Sequence, residues 1–359
     1  MHINGKPQML NVALAVWLEQ HAEALNAGEA DVSLVLLKQL GQADVFRQGV
    51  PEKFGGLGNT LKDAIEVISE VAEYSVTAAF VSWSQRTYIE YLLTAKADSL
   101  DEFRFDELLA GEYAGATGLS NVMKFLSGLE PLQIQAEVME GGWKLNGELP
   151  WVTNFHPKGF TVAVAADSAQ GLLLFLVPSN RAGFDRRPNL KLIGLKGSST
   201  AAATLTDVSV SQTELLSDNA TQYIPTIRPA FLGLQCALSI GLIKRSVQQV
   251  IAKKHSNLVN DQITHIQQQL EENLAALFWG LESGQFVTQA RRLFEIRIAL
   301  SELTQHAIQL ELCSTGGKCY LIPYEDGFTR RLKESAFIPI VTPSVLQLKT
   351  ELSRLRAKT

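Results

Sequence analysis

The sequence predicts an α+β fold in three blocks: an N-terminal helical domain, a central antiparallel β-barrel domain and a C-terminal antiparallel helical bundle. Three stretches of hydrophobic periodicity carry this prediction. Apolar residues recur at helical steps from Leu10 to about Ala110, at alternate positions from about Glu112 to Val210, and at helical steps again from about Ile224. The implied domains are 1–111, 112–218 and 219–359, and a chain of 359 residues has room for two or three cores.

In the first block Leu10, Ala13, Trp17, Leu18 and Ala22 mark one helix face, and Ala64, Val67, Ile68, Val71 and Ala72 another. Between them runs a Gly-rich stretch, Val50 to Thr60. Its Gly56-x-Gly58 lacks a third glycine and follows no strand, so it reads as a structural loop and not as a dinucleotide fingerprint. In the second block Trp143, Leu145, Leu149 and Trp151 share one parity around Asn146-Gly147. Phe160–Ala165 and Leu172–Val177 read as strands, the second buried on both faces, and Thr204, Thr206, Val208 and Val210 alternate again. In the third block Cys236, Ile240, Ile243, Val247 and Val250 step by four and three. Ile263 through Leu281, and Phe286 through Leu310, continue the pattern, which predicts three long helices packed antiparallel.

Composition excludes several function classes. With 32 Lys+Arg against 37 Asp+Glu, the net charge of -5 leaves no basic face for nucleic acid. The weakly polar stretch Pro229–Ile243 is shorter than the ~20 apolar residues of a bilayer span, so no transmembrane helix is expected. The N-terminus lacks the zones of a signal peptide. Three cysteines (Cys236, Cys313, Cys319) fit a reducing compartment, and six scattered histidines show no metal-ligand spacing. A soluble, cytoplasmic, globular chain without a metal site is the expectation.

Four stretches give the chain a more specific character. These are Pro51 to Gly58; Leu145-Asn146-Gly147 with Trp151-Val152-Thr153-Asn154; Leu192 to Leu216, which contains Gly194-x-x-Gly197-Ser198; and Gly316-Gly317 followed by Arg330-Arg331. In order and spacing they resemble the acyl-CoA dehydrogenase superfamily of flavoproteins, over nearly the whole chain. The resemblance implies FAD as cofactor, a homodimer or homotetramer, and a small-molecule substrate such as an acyl thioester. It implies that Trp151 packs against the isoalloxazine and that the Thr153 hydroxyl bonds flavin N5, the atom that accepts hydride. Thr117 and Ser120 become flavin contacts, and the backbone N–H groups of Gly316 and Gly317 become phosphate donors.

Departures from the family pattern are as informative. Ala116-Thr117-Gly118-Leu119-Ser120-Asn121 stands where the family reads Thr-Glu-Pro-x-x-Gly-Ser-Asp. Lys253-Lys254-His255 stands in place of Arg-x-x-Phe-Gly, which leaves Lys254 as a point charge for pyrophosphate. Dehydrogenation of a thioester needs a carboxylate within reach of the α-proton. No Asp or Glu occurs from Ser335 to Thr350, where most relatives keep that base, nor in Pro225–Pro229, the alternative position. Glu325, Asp326 and Glu334 are the nearest carboxylates, and a surface role is expected of them. No catalytic residue is therefore assigned. The leading reading is an FAD-dependent oxidoreductase. The alternatives are a two-component flavin-dependent monooxygenase of the same superfamily, with Arg86 and His156 as polar groups near its pocket, or a non-enzymatic member that keeps the fold.

Overall fold

The computed structural model describes residues 9–94, 104–253, 257–321 and 327–357. Among them, five helices come first: α1 (Val12–Ala27), α2 (Ala30–Gln42), α3 (Leu61–Tyr74), α4 (Val76–Thr94) and α5 (Phe105–Ala110). Strand β1 (Ala114–Thr117) and the short helix α6 (Ser120–Leu126) lead into β2 (Ile134–Met139), β3 (Gly142–Val152), β4 (Phe160–Ser168) and β5 (Gly171–Pro178). Then come β6 (Phe184–Asn189), β7 (Ala201–Ser211) and β8 (Leu215–Ser217). The remainder is helical: α7 (Ala220–Ile251), α8 (Asn257–Glu282), α9 (Gln285–Thr288), α10 (Ala290–Thr315), α11 (Phe328–Ser335) and α12 (Val345–Ala357). The α+β class and the order of its blocks are as the periodicity predicts.

Local chemistry explains the helix ends. Asn11 Oδ1 accepts from the Ala13 N–H at 2.8 Å to open α1, and Gly28, at φ 77°, closes it. Thr60 and Asp63 form a capping box at the start of α3. The preceding Gly-rich stretch is a folded loop, as expected. Its Leu57 N–H donates to Arg47 O at 3.0 Å, and a Cβ on Gly56 would lie 2.0 Å from Val50 O.

Helix α7 is longer than the sequence expectation allows. It runs for 32 residues, includes Pro225 and Pro229, and is long and apolar enough to cross a bilayer by length and composition alone. Yet 83% of its apolar window is buried inside the fold, against α3, α4 and α10. A Cβ on Gly241 would meet Ser69 O at 2.1 Å, which shows how closely α7 approaches α3. It is a core helix.

The sheet follows the order β6-β7-β3-β2-β4-β5-β8, with β1 beside β4. Most pairs are antiparallel, but β1 and β2 both run parallel to β4. The pairing of β2 with β4 rests on one residue pair, Gln135 with Asp167, and β6 and β8 end the sheet unjoined. The sheet is thus open where a barrel was expected, with β6 and β8 as its unjoined ends and β1 and β2 both parallel to β4. Both β4 and β5 are core strands: Phe160–Ala166 and Leu173–Val177 are buried.

Candidate active site

The site begins with a break in alternation on β3. Trp143, Leu145 and Leu149 point into the core as the shared parity predicts. Between Leu149 and Val152 the register with β7 then slips, so that Val152 is buried instead of Trp151. The bulge turns Trp151 outward, and its side chain is 41% exposed. A similar slip on β7 occurs at Asp207, at φ 50°, where Asn146 bonds both its N–H and its carboxylate. This is why Thr204 and Thr206 do not share a face with Val208 and Val210.

The strand end beyond Trp151 is held from below by α4, a helix buried on almost every side. Gln85 is the centre of that grip. Its Oε1 accepts from Gly115 N–H at 2.7 Å and from Asn154 Nδ2 at 2.9 Å, while its Nε2 donates to Leu108 O and Tyr113 O. Asn154, at φ 64°, also donates to Gly115 O, and Ser84 Oγ donates to Thr153 O at 3.3 Å. Asparagine tolerates this left-handed conformation better than most residues. The backbone of Thr153 is thereby fixed between α4 and β1.

Above this platform lies a cavity of about 400 Å³. Thr117, Ser120, Trp151 and Thr153 all line it, so four of the six predicted site residues converge on one space. Its far wall is the segment from Phe337 to Ser344. Phe80, Trp83, Phe231 and Phe337 form an aromatic side: Phe80 and Trp83 stack at 5.4 Å, and Phe337 meets Phe80 edge-on at 4.8 Å. Thr117 Oγ1 is bonded to Tyr91 OH at 2.8 Å, and burial pushes that phenol well above its ordinary pKa, so it stays neutral. Lys124 and Glu130 supply the only cation and carboxylate among the described lining residues. They pair with each other at 3.2 Å, and Asn121 donates to Glu130 at 2.9 Å. Phe80, Trp83, Phe231, Gln85 and the Lys124–Glu130 pair were not singled out by sequence.

Gly316 and Gly317 do not line this cavity. They sit exposed in a 3-10 turn at the end of α10, where an added Cβ would meet nothing within 4 Å. Arg86 and His156 do not line it either. Arg86 is buried, donating to Gln48 O and pairing with Glu90 at 2.6 Å. His156 Nδ1 accepts from Lys158 N–H, so its Nε2–H faces Leu34 O at 3.3 Å, and burial holds the imidazole pKa below its ordinary value. The expected surface role of Glu334 is incorrect. It is fully buried, accepts from Thr77 N–H and hydroxyl, and pairs with Arg330 at 2.8 Å. Burial raises its pKa, with Arg330 opposing, because α11 packs its polar face against α4. Glu325, Asp326 and Lys254 lie outside the described residues.

A second cavity of about 510 Å³ adjoins the first across Phe231 and Pro343. Arg228, Arg291 and Glu351 give it a charged lining. Burial lowers the Arg228 pKa, and Glu351 partly offsets that effect.

Known proteins share both the sequence pattern and the architecture. No family profile matches the chain. It is 27% identical over 207 residues to the mitochondrial long-chain specific acyl-CoA dehydrogenase of Sus scrofa, a match covering 56% of this chain and 47% of that protein. The chain thus spans about half the length of the curated relatives it matches. Its fold superposes on butyryl-CoA dehydrogenase from Megasphaera elsdenii with a TM-score of 0.80, at 16% identity over 99% of this chain and all of the other. It superposes on a Mycobacterium smegmatis glutaryl-CoA dehydrogenase in complex with FADH2 at 0.77, with 14% identity over 98% and 96% of the two chains. Two independent similarities, one of aligned residues over about half of the chain and one of fold over nearly all of it, thus meet on a single group: in both the chain is similar to acyl-CoA dehydrogenases.

Proposed function

We propose that the chain is an FAD-dependent oxidoreductase that holds the isoalloxazine in the cavity above β3. The observation that carries this reading is the convergence of Thr117, Ser120, Trp151 and Thr153 on one aromatic-sided space. The residues fit the flavin half of the cofactor. Trp151 offers an exposed ring face to a planar partner, and Thr153 and Ser120 offer hydroxyls at its polar edge. The structures it resembles include a glutaryl-CoA dehydrogenase in complex with FADH2. Gly316 and Gly317 have open space for a phosphate but stand apart from the cavity, and a homodimer or homotetramer is the assembly we infer. Three free cysteines fit the reducing interior of the cytoplasm.

When bound, FAD would supply the acceptor for a hydride. The protein's part is to bind, orient and keep water out. Phe80, Trp83, Phe231, Phe337 and Val341 form the dry side against which a substrate carbon chain would lie, and Arg228 and Arg291 in the adjoining cavity suit an anionic carrier such as that of an acyl thioester. The wall from Phe337 to Ser344 carries no carboxylate. Among the described residues the one carboxylate lining this cavity, Glu130, is already paired with Lys124.

That missing base favours a second reading, reaction of a reduced flavin with oxygen in the same dry pocket. Anaerobic mixing of the FAD-loaded protein with a panel of acyl-CoAs separates the two. Bleaching of the flavin band by a thioester supports dehydrogenation. Absence of bleaching, with oxygen uptake once reduced flavin is supplied, supports the monooxygenase.

A further inference from the structure

The Thr153 hydroxyl is the first member of a buried chain. Its Oγ1 lies 3.1 Å from Thr200 Oγ1, which lies 2.7 Å from Ser198 Oγ, which lies 2.6 Å from the carbonyl oxygen of Leu195. All four residues are buried, so bulk water does not compete for these groups. Each hydroxyl has one proton to donate, and a carbonyl only accepts. Ser198 therefore donates to Leu195, Thr200 donates to Ser198, and Thr153 donates to Thr200. The chain has one direction. It leaves Thr153 with acceptor lone pairs alone for anything that enters the cavity it lines.

We propose that Ser198 and Thr200 are positioning residues that set the polarity of Thr153, so that the cavity favours a ring offering N–H over a ring offering a bare nitrogen. The proposal rests on the flavin reading above. There it becomes a preference for the reduced isoalloxazine, which carries hydrogen on N5, over the oxidised one, which carries only a lone pair. For Thr153 to donate to a bare nitrogen it must give up its bond to Thr200, or, to keep that bond, all three hydroxyls must reverse. Leu195 O would then lose its side-chain partner and keep only the Ser198 N–H at 3.1 Å. One net hydrogen bond of this kind corresponds to roughly a tenfold bias between the two forms.

The test is the midpoint potential of FAD bound to the full-length protein, measured anaerobically in the wild type and in T200V, S198A and T200S. Thr200→Val removes the acceptor that holds the Thr153 proton, and Ser198→Ala removes the acceptor that holds the Thr200 proton. Each frees Thr153 to donate to oxidised flavin. The expected result in both is a lower potential, by about 30 mV for a tenfold change in a two-electron couple, with T200S restoring the wild-type value. An unchanged or higher potential in folded T200V and S198A overturns the proposal, and S198A alone decides if T200V does not fold. Wild-type protein that takes up no FAD removes the flavin reading and this preference with it. Uptake with an unmoved potential removes only the preference.

Discussion

At the scale of single residues, the roles read from sequence separate into those the cavity supports and those that packing absorbs. Trp151 is exposed on a cavity wall, so its ring contributes to an occupant more than to the core. W151A is expected to weaken FAD binding by about tenfold or more while leaving the melting temperature nearly unchanged, as a flavin titration and a thermal melt will show. His156 behaves oppositely. Its folded pKa lies below the ordinary value, so the unfolded state binds the extra proton first as pH falls. Its contribution to stability is full above about pH 6.5 and is lost as pH drops through the folded value. Urea melts across that window should slope downward toward acid, and H156Q should flatten part of the slope. Trp151 and Thr153 were legible because a motif fixed their spacing. Gln85, Ser84 and the Thr200–Ser198 pair were not, since their roles depend on contacts between residues far apart in the chain.

At the scale of elements, periodicity identified helices and strands and failed where the chain deliberately breaks period. The predicted inward parity of β3 holds for Trp143, Leu145 and Leu149, and the bulge that follows is what turns Trp151 toward the cavity. A two-residue pattern carries no mark of such a slip. The opposite wall is also set by elements distant in sequence. Arg297 on α10, fully buried, donates to Gln235 Oε1 at 2.8 Å and to Ile338 O at 2.8 Å, and Gln235 Nε2 donates to Thr342 O at 3.0 Å. The segment that lacks a carboxylate is therefore gripped at both ends by α7 and α10. R297M leaves two buried acceptors unpaired and should destabilise the fold by about 2–4 kcal/mol in a urea melt. R297K should recover little, because one ammonium lacks the guanidinium fork that reaches both partners.

For the whole molecule, three blocks of period place a helical layer, an open sheet and a helical bundle beside the cavity above β3 and the one that adjoins it. Closure of the sheet was the part that periodicity overstated, because which strands pair, and whether in parallel as β1 and β2 do with β4, is invisible to a count of alternating residues. The outer face of α8 presents Trp279 to solvent, and self-association of the full chain is expected to appear in light scattering as a dimer or tetramer mass. A monomer at micromolar concentration would contradict that expectation. The central claim is that the cavity above β3 is a flavin site. The most direct test is an equilibrium titration of the purified full-length protein with FAD, followed by its visible spectrum. Saturation at one FAD per chain, with a shifted and structured flavin band that W151A weakens, is the predicted result. A protein that stays colourless and leaves the FAD spectrum unperturbed would contradict it.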